Sequence, residues 1–229
     1  MLIKDWMAKD VLTVTEDASL MRVTRIMKEN NIRRLPIVAE GKLMGIITDR
    51  DVKDASPSKA ASMDIHELHR MMSEIKVTEV MTPTPMTLSG NDSLEKAALI
   101  MLESKISGLP VADQNGHLIG LVSETDVLRA FIHSTGIKDG ALQFVLNLDD
   151  APGAVTKLIK TLRDNKTRVI SILTSYEDAP SGQKQVAVRV LPEDQATADA
   201  LPQILADNFD VVYHAKDELK DLPSRKTVS

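Results

Sequence analysis

The sequence predicts an α/β (α+β) protein with two consecutive β-α-β-β-α units followed by one β-α-β-β-α-β unit. The first observation is an internal repeat, because matching residues such as Met7 and Met81 stand 74 positions apart. The second is a change after about residue 140, where a period-two strand opens a stretch with another order of elements. Two copies of one unit and a third, different unit therefore account for most of the chain.

Composition narrows the class of protein. Of the 229 residues 43% are hydrophobic and only 3% aromatic, so Leu, Ile, Val and Met must fill the core. The absence of cysteine excludes disulfides, thiolate metal sites and a cysteine nucleophile. A net charge of −5 with dispersed Lys and Arg argues against a nucleic-acid partner. No signal-like start and no apolar run of ~20 residues is seen, so we expect a cytoplasmic protein without a membrane partner.

Each copy is predicted to contain the same elements in the same order. The first copy has a strand at 12–14, a helix burying Leu20, Val23 and Met27, strands at 35–38 and 43–47, and a closing helix. The second has a strand at 86–88, a helix burying Leu94, Ala97 and Met101, strands at 109–112 and 118–122, and a closing helix. Because a three-stranded sheet of this size leaves a face uncovered, the two copies should pack together as one domain.

The last strand of each copy runs into a helix through a hydroxyl residue and an aspartate three positions later. These are Thr48 and Asp51 in the first copy, and Ser123 and Asp126 in the second. Backbone N–H groups at a helix N-terminus favour an anion, and a carboxylate one turn in can accept hydrogen bonds from sugar hydroxyls. Phosphate and ribose are therefore the ligand groups expected at these junctions. The alternative is that both pairs only cap their helices as variants of the capping box.

These features resemble a tandem CBS (cystathionine β-synthase) domain from about Met1 to His133. The residues that carry the resemblance are Leu35-Pro36 and Leu109-Pro110 at the strand starts, and the two Gly-x-x-[Ser/Thr]-x-x-Asp segments. The resemblance implies that adenosine nucleotides bind in clefts between the copies, with backbone near Val14 or Leu88 bordering the base. The implied nucleotide-binding residues are Val14, Arg33, Arg34, Pro36, Thr48, Arg50, Asp51, Leu88, Pro110, Ser123 and Asp126.

The two sites differ in charge. The first copy has Arg33, Arg34 and Arg50 where the second has Ser107, Gly108 and Thr125. Since arginine binds phosphate through paired hydrogen bonds, we expect the first site to take the more highly phosphorylated ligand. The alternative is that Arg33 and Arg34 form a solvated surface pair.

The stretch between the copies is predicted to be a linker followed by a helix at 63–75. His66 and His69 lack the spacing of a zinc-protease pair and have no third ligand in view, so no metal is expected. Met63, Met71 and Met72 are interpreted as packing residues. The predicted boundaries are 1–62 for the first copy and linker start, 63–75 for the linker helix, 76–133 for the second copy, 134–140 for the interdomain linker, 141–216 for the third unit and 217–229 for a polar tail.

The third unit is predicted to have a ferredoxin-like order of elements. The expected elements are a strand at 141–148, a helix to about Asn165, strands at 168–174 and 183–190, a helix at 194–208 and a strand at 210–213. Pro202 should kink or split the second helix. The unit resembles an ACT domain through Asp150-Ala151-Pro152-Gly153 after its first strand.

The ACT resemblance implies an amino-acid ligand at an interface between paired copies. The candidate residues are Asp149, Asp150 and the backbone N–H of Gly153, because a helix N-terminus suits a carboxylate. The alternative is that Pro152 and Gly153 simply form a tight turn. Exposed sheet edges in this unit predict a homodimer.

Apart from its polar tail at about 217–229, the chain resembles the acetoin-utilisation (AcuB type) family, a name that gives no biochemical role. No catalytic triad, phosphate-binding loop or dinucleotide fingerprint is recognisable, so the chain is interpreted as a non-enzyme without a catalytic cofactor. The leading hypothesis is a regulatory sensor that binds an adenine nucleotide (AMP, ADP, ATP or S-adenosylmethionine) between the CBS copies and signals to the ACT unit. The alternatives are a receptor for cyclic di-AMP and an interaction scaffold with empty CBS sites.

Overall fold

Each copy of the repeat forms a helix, an antiparallel hairpin and a second helix. The computed structural model describes residues 1–56, 64–140 and 142–219. The first copy contains α1 (Leu20–Glu29), β1 (Arg34–Ala39), β2 (Lys42–Thr48) and α2 (Asp49–Ala55). After α3 (Ile65–Glu74) and the short strand β3 (Thr82–Pro83), the second copy contains α4 (Leu94–Ser104), β4 (Gly108–Ala112), β5 (Leu118–Ser123) and α5 (Glu124–Thr135). The predicted linker residues 57–62 and Met63 lie outside the described residues.

The first helix of each copy begins at a serine cap and buries the predicted face. Ser19 accepts a hydrogen bond from the backbone N–H of Arg22 at 3.3 Å, and Ser93 does the same for Lys96 at 3.2 Å. The buried residues are Leu20, Val23 and Met27 in α1, and Leu94, Ala97 and Met101 in α4. The helical periodicity read from the sequence is therefore confirmed in both copies.

The strand predicted at the start of each copy is wrong in extent. Val14 makes one parallel bridge to Ile37, and Leu88 makes one to Val111. The Val14 N–H donates to the Pro36 carbonyl at 3.1 Å, and the Val38 N–H donates to the Val14 carbonyl at 2.9 Å. The next bond of a parallel ladder would need an N–H on Pro36, which proline lacks, so the pairing stops after one bridge.

Each copy receives its third paired segment from the chain that leads into the other copy. β3 pairs antiparallel with β2 at Gly45 and Ile46, and Ala8 bridges Leu121 of β5 in the same way. A Cβ at Gly45 would overlap Sδ of Met81, and a Cβ at Gly120 would overlap Sδ of Met7. Glycine is therefore needed at both positions because the neighbouring chain approaches the strand closely.

The hairpin turns of the two copies also pair with each other. The Leu43 N–H donates to the Gly116 carbonyl, and the Leu118 N–H donates to the Gly41 carbonyl, both at 3.0 Å. These reciprocal bonds give the copies an approximate two-fold relation. The chain divides into two compact units, Met1–Leu128 and Arg129–Ser229, and both copies belong to the first except for the end of α5.

The second unit contains a four-stranded antiparallel sheet and two helices. Its elements are β6 (Leu142–Asp149), α6 (Ala154–Asp164), β7 (Thr167–Ser175), β8 (Gln183–Pro192), α7 (Gln195–Ala206) and β9 (Asp210–Lys216). The strand order is β7-β8-β6-β9. The buried core includes Phe144, Leu158, Val188 and Leu201, which come from the sheet and both helices. The element order is the predicted β-α-β-β-α-β.

Two expectations about this half of the chain are corrected. Pro202 lies inside α7 without splitting it. The helix α5 continues through Thr135, inside the stretch predicted to be a linker, and the Ser134 and Thr135 hydroxyls donate to the Phe131 and Ile132 carbonyls at 2.9 Å. The division between the units falls within α5. Ala141 and the end of the predicted tail, 220–229, lie outside the described residues.

Candidate functional site

The two strand-to-helix junctions have nearly identical geometry. Oδ2 of Asp51 accepts the Thr48 N–H at 2.8 Å and the Thr48 hydroxyl at 2.7 Å. Oδ2 of Asp126 accepts the Ser123 N–H at 2.9 Å and the Ser123 hydroxyl at 2.6 Å. The capping interpretation is confirmed for both pairs. It leaves a ligand role open at Asp51, since no described residue bonds the other carboxylate oxygen, Oδ1.

The first junction opens into a cleft of about 730 Å³ between the two copies. The first copy lines it with Arg33, Arg34, Ile46, the run Thr48–Asp51 and Lys53. The second copy and the segment leading into it contribute Thr82, Pro85, Met86, the run Lys105–Pro110 and Glu124. A volume in this range can enclose a nucleotide-sized ligand.

The structure brings six of the predicted nucleotide-binding residues to this cleft. They are Arg33, Arg34, Thr48, Arg50, Asp51 and Pro110. The other five do not line it: Val14, Pro36 and Leu88 are buried, and Ser123 and Asp126 form the junction of the other copy. In the chain just before Leu88, Pro85 and Met86 reach the cleft, and Met86 is 51% exposed.

Arg34 crosses from the first copy to the second. Its Nη2 donates to the Ser107 hydroxyl at 2.5 Å, and its Nη1 is buried without a described hydrogen-bond partner. A Cβ at Gly108 would overlap Nη1, so the guanidinium occupies space that only glycine leaves free. Burial lowers the pKa of Arg34 from its ordinary value, while the charges of Glu124 and Asp49 oppose that shift. The solvated-pair alternative holds for the exposed Arg33 and is wrong for Arg34.

Cations outnumber acids along the cleft. The cations are Arg33, Arg34, Arg50, Lys53 and Lys105, and the acids are Asp49, Asp51 and Glu124. The sequence interpretation missed Lys53 and Lys105. The alignment of the copies contained a usable signal, because it sets Lys53 against Leu128 and Lys105 against Asn31. The cleft is therefore suited to an anionic ligand.

The candidate residues of the second unit form a turn stabilised within the protein. Asp150 accepts a hydrogen bond from Lys184 at 3.3 Å and one from the Tyr176 hydroxyl at 3.4 Å. Gly153 is the N-cap of α6 with φ of +91°, a left-handed conformation that glycine adopts without strain. Asp149 ends β6 and is exposed. A smaller cavity in this unit, about 230 Å³, lies by the start of α7 and does not include these residues.

His66 and His69 are both exposed on α3. Within 1–56, 64–140 and 142–219, no group of three or more His, Asp or Glu side chains could hold a metal ion. In the same ranges, no helix has the length and apolarity that crossing a bilayer requires.

Comparison with known proteins identifies the N-terminal half. The family model for the CBS domain matches residues 3–58 and 77–133. A CBS domain-containing protein of Dictyostelium discoideum is 34% identical over 132 residues, which are 57% of this chain and 91% of that protein. Protein MJ1225 of Methanocaldococcus jannaschii is 36% identical over 57% of this chain, which spans about half (47%) of that protein's length. The solved structure of MJ1225 superposes with a TM-score of 0.51.

A solved protein assigned to acetoin utilization (AcuB) from Vibrio cholerae has the same fold over the matched region. It is 24% identical, covers 61% of this chain and 96% of its own, and gives a TM-score of 0.51. At this identity the likeness concerns the fold alone. The family model leaves the residues after 133 unmatched, so the assignment of the second unit stays a prediction.

Proposed function

Because the chain belongs to the family of CBS domain-containing proteins, we propose that it is a non-catalytic regulatory sensor whose cleft binds an adenine nucleotide. The observation that carries this proposal is the cleft itself, which both copies line and which joins a capping-box aspartate, apolar side chains and several cations. These are the three kinds of group that a ribose, a base and a phosphate require.

Each part of the nucleotide has a suitable wall. Ile46, Met86 and Ile106 offer an apolar surface to the adenine ring. Oδ1 of Asp51 faces no described partner and can accept hydrogen bonds from ribose hydroxyls. Arg33 and Arg50 supply charged donors for phosphate. Regulation then follows if the nucleotide binds one arrangement of the copies more tightly than another.

We further propose that the second unit is a ferredoxin-like ACT module that receives the signal. Its support is the strand order β7-β8-β6-β9 with two helices on the sheet. β7 and β9 are edge strands of the described sheet, and pairing between two copies of the chain at such an edge would give the proposed homodimer. An amino acid bound near Asp149, Asp150 and Gly153 at that interface, and a physiological link to acetoin utilization, belong to the same proposal.

Isothermal titration of the purified chain with AMP, ADP, ATP, S-adenosylmethionine and cyclic di-AMP tests the nucleotide proposal. Asp51→Asn keeps an oxygen that can cap α2 while removing the carboxylate charge, so binding should weaken about tenfold without unfolding. The comparison variant is Asp126→Asn, which makes the same change in the capping box of the other copy; because it removes a negative charge near Arg34, it should not weaken anion binding in this cleft. If only cyclic di-AMP gives heat of binding, the cyclic dinucleotide receptor becomes the favoured function. No heat from any ligand with folded protein would favour the scaffold.

A further inference from the structure

Every cation that lines the cleft is matched by an uncharged residue in the other copy. The matched pairs are Arg33 with Ser107, Arg34 with Gly108, Arg50 with Thr125, Lys53 with Leu128 and Lys105 with Asn31. The acids follow another rule, because Asp49 is matched by Glu124 and Asp51 by Asp126. The cations of the cleft are therefore not repeated at the matching positions of the other copy, whereas two of its acids are.

Four of these cations are not neutralised by the protein. Arg33, Arg50, Lys53 and Lys105 are exposed, and among the described residues none of them makes an ion pair or a side-chain hydrogen bond. Unpaired like charges in one cleft repel each other, and an anion of several charges relieves that repulsion. The chain has a net charge of −5, so the excess of positive charge at the candidate site is local and does not reflect the overall composition.

Lys105 differs from the other three in its position. Arg33, Arg50 and Lys53 come from the first copy, whereas Lys105 follows α4 in the second copy. A ligand that contacts both groups of cations has to reach from one copy to the other, and a chain of phosphates can supply that reach. Lys105 also has φ of +54°, and Asn31 has φ of +51° at the matching position. Asparagine tolerates this left-handed conformation better than lysine does.

Building on the proposed nucleotide site, we infer that Lys105 sets the length of the phosphate chain and that the cleft selects a nucleoside triphosphate over a monophosphate. The first-copy cations bind the phosphate nearest the ribose, and Lys105 binds the end of the chain. Arg34 donates a hydrogen bond to Ser107 of the second copy, so its role is to hold the side of the cleft rather than to bind the end of the phosphate chain.

The test is Lys105→Asn, which installs the residue that the first copy has at the same backbone conformation. Its matched control is Lys166→Asn, because Lys166 also has a left-handed φ, +50°, but lies in the second unit. Both substitutions replace a lysine whose backbone is left-handed by asparagine, which tolerates that conformation better. Lys166→Asn also removes an exposed 3.7 Å ion pair with Glu193 worth about 0–1 kcal/mol, so both proteins should melt close to the wild-type temperature. Titrations use ATP, AMP and inorganic tripolyphosphate with each protein.

Lys105→Asn should weaken ATP and tripolyphosphate binding about three- to tenfold and leave AMP binding unchanged. Lys166→Asn should change none of the three affinities. Equal loss of AMP and ATP affinity, or no loss at all in Lys105→Asn, would overturn the assignment of Lys105. If AMP and ATP both fail to bind the wild-type protein while tripolyphosphate binds, the adenine-nucleotide proposal fails and the polyanion site stands. If wild-type protein binds AMP as tightly as ATP, the nucleotide proposal stands and the selection for triphosphate fails.

Discussion

Gly45 and Gly120 should be equally sensitive to substitution by alanine, because each faces the same contact from the opposite copy. A Cβ at Gly45 would overlap Sδ of Met81 and lie 3.0 Å from the Thr82 carbonyl oxygen. A Cβ at Gly120 would overlap Sδ of Met7 and lie 2.9 Å from the carbonyl oxygen of Ala8. The thioether can move aside, but the backbone oxygen cannot move without disturbing the paired segment.

The magnitude follows from two opposing effects. Alanine restricts the unfolded chain and by itself would stabilise the fold by about 0.4–1 kcal/mol. Overpacking against the neighbouring segment costs about 1–3 kcal/mol. Each substitution should therefore destabilise the first unit by about 1 kcal/mol net, which corresponds to a fall of about 4 °C in melting temperature.

Urea unfolding monitored by tryptophan fluorescence measures the change in the free energy of unfolding of the first unit. Trp6 is the single tryptophan of the chain and lies in the first unit. Adding Met81→Ala to Gly45→Ala completes a double-mutant cycle, whose coupling should show part of the cost relieved. A Gly45→Ala protein as stable as wild type, or costs at the two glycines differing by more than about 1 kcal/mol, would refute the close-approach argument.

Three further results are expected. Asp217→Ala should destabilise the second unit by about 1–3 kcal/mol in thermal unfolding, because the buried Arg189 guanidinium loses its 2.7 Å carboxylate partner; no change would mean that this ion pair is inert. Asp194 caps α7 and has a lowered pKa because of the Thr197 backbone hydrogen bond, so its stabilisation is present above its unfolded pKa and lost on acidification. The stability difference between Asp194→Ala and wild type should therefore shrink as the pH falls below about 4, and a pH-independent difference would contradict this. Gly108→Ala should displace Arg34 and weaken ATP binding, and because its Cβ would also lie 3.0 Å from the Val122 carbonyl oxygen, it should destabilise the first unit by about 1 kcal/mol; unchanged binding would show that Arg34 does not support the site.

Local periodicity predicted most of the elements because it depends on burial alone. The buried faces of α1 and α4, both hairpins and all four strands of the second unit were readable from apolar spacing. The strand at residues 12–14 was overestimated because its length depends on a partner, and Pro36 ends that pairing. The exchange of paired segments between copies involves contacts distant in sequence, which no local pattern encodes.

The candidate site was predictable where chemistry and spacing coincide. Thr48 and Asp51 could be predicted from their position after a strand. Arg33 and Arg34 could be predicted because the second copy has uncharged residues at the matching positions. Lys105 carried no such motif, because a lysine after a helix is ordinary until the fold places it on the wall of a cleft. The need for glycine at position 108 likewise could not be predicted from the sequence, because it depends on the Arg34 side chain that lies against it.

The exchange of paired segments also determines when the protein can fold as it is synthesised. Ala8 leaves the ribosome early, but its partner Leu121 is made only when the second copy is nearly complete. Likewise, β2 waits for β3, which belongs to the chain entering the second copy. Neither copy can finish its sheet while the other is missing, so the nascent first copy presents an unpaired strand edge during translation. A premature stop between β3 and β5 would therefore release a product that can complete the first sheet but leaves Ala8 without its partner Leu121.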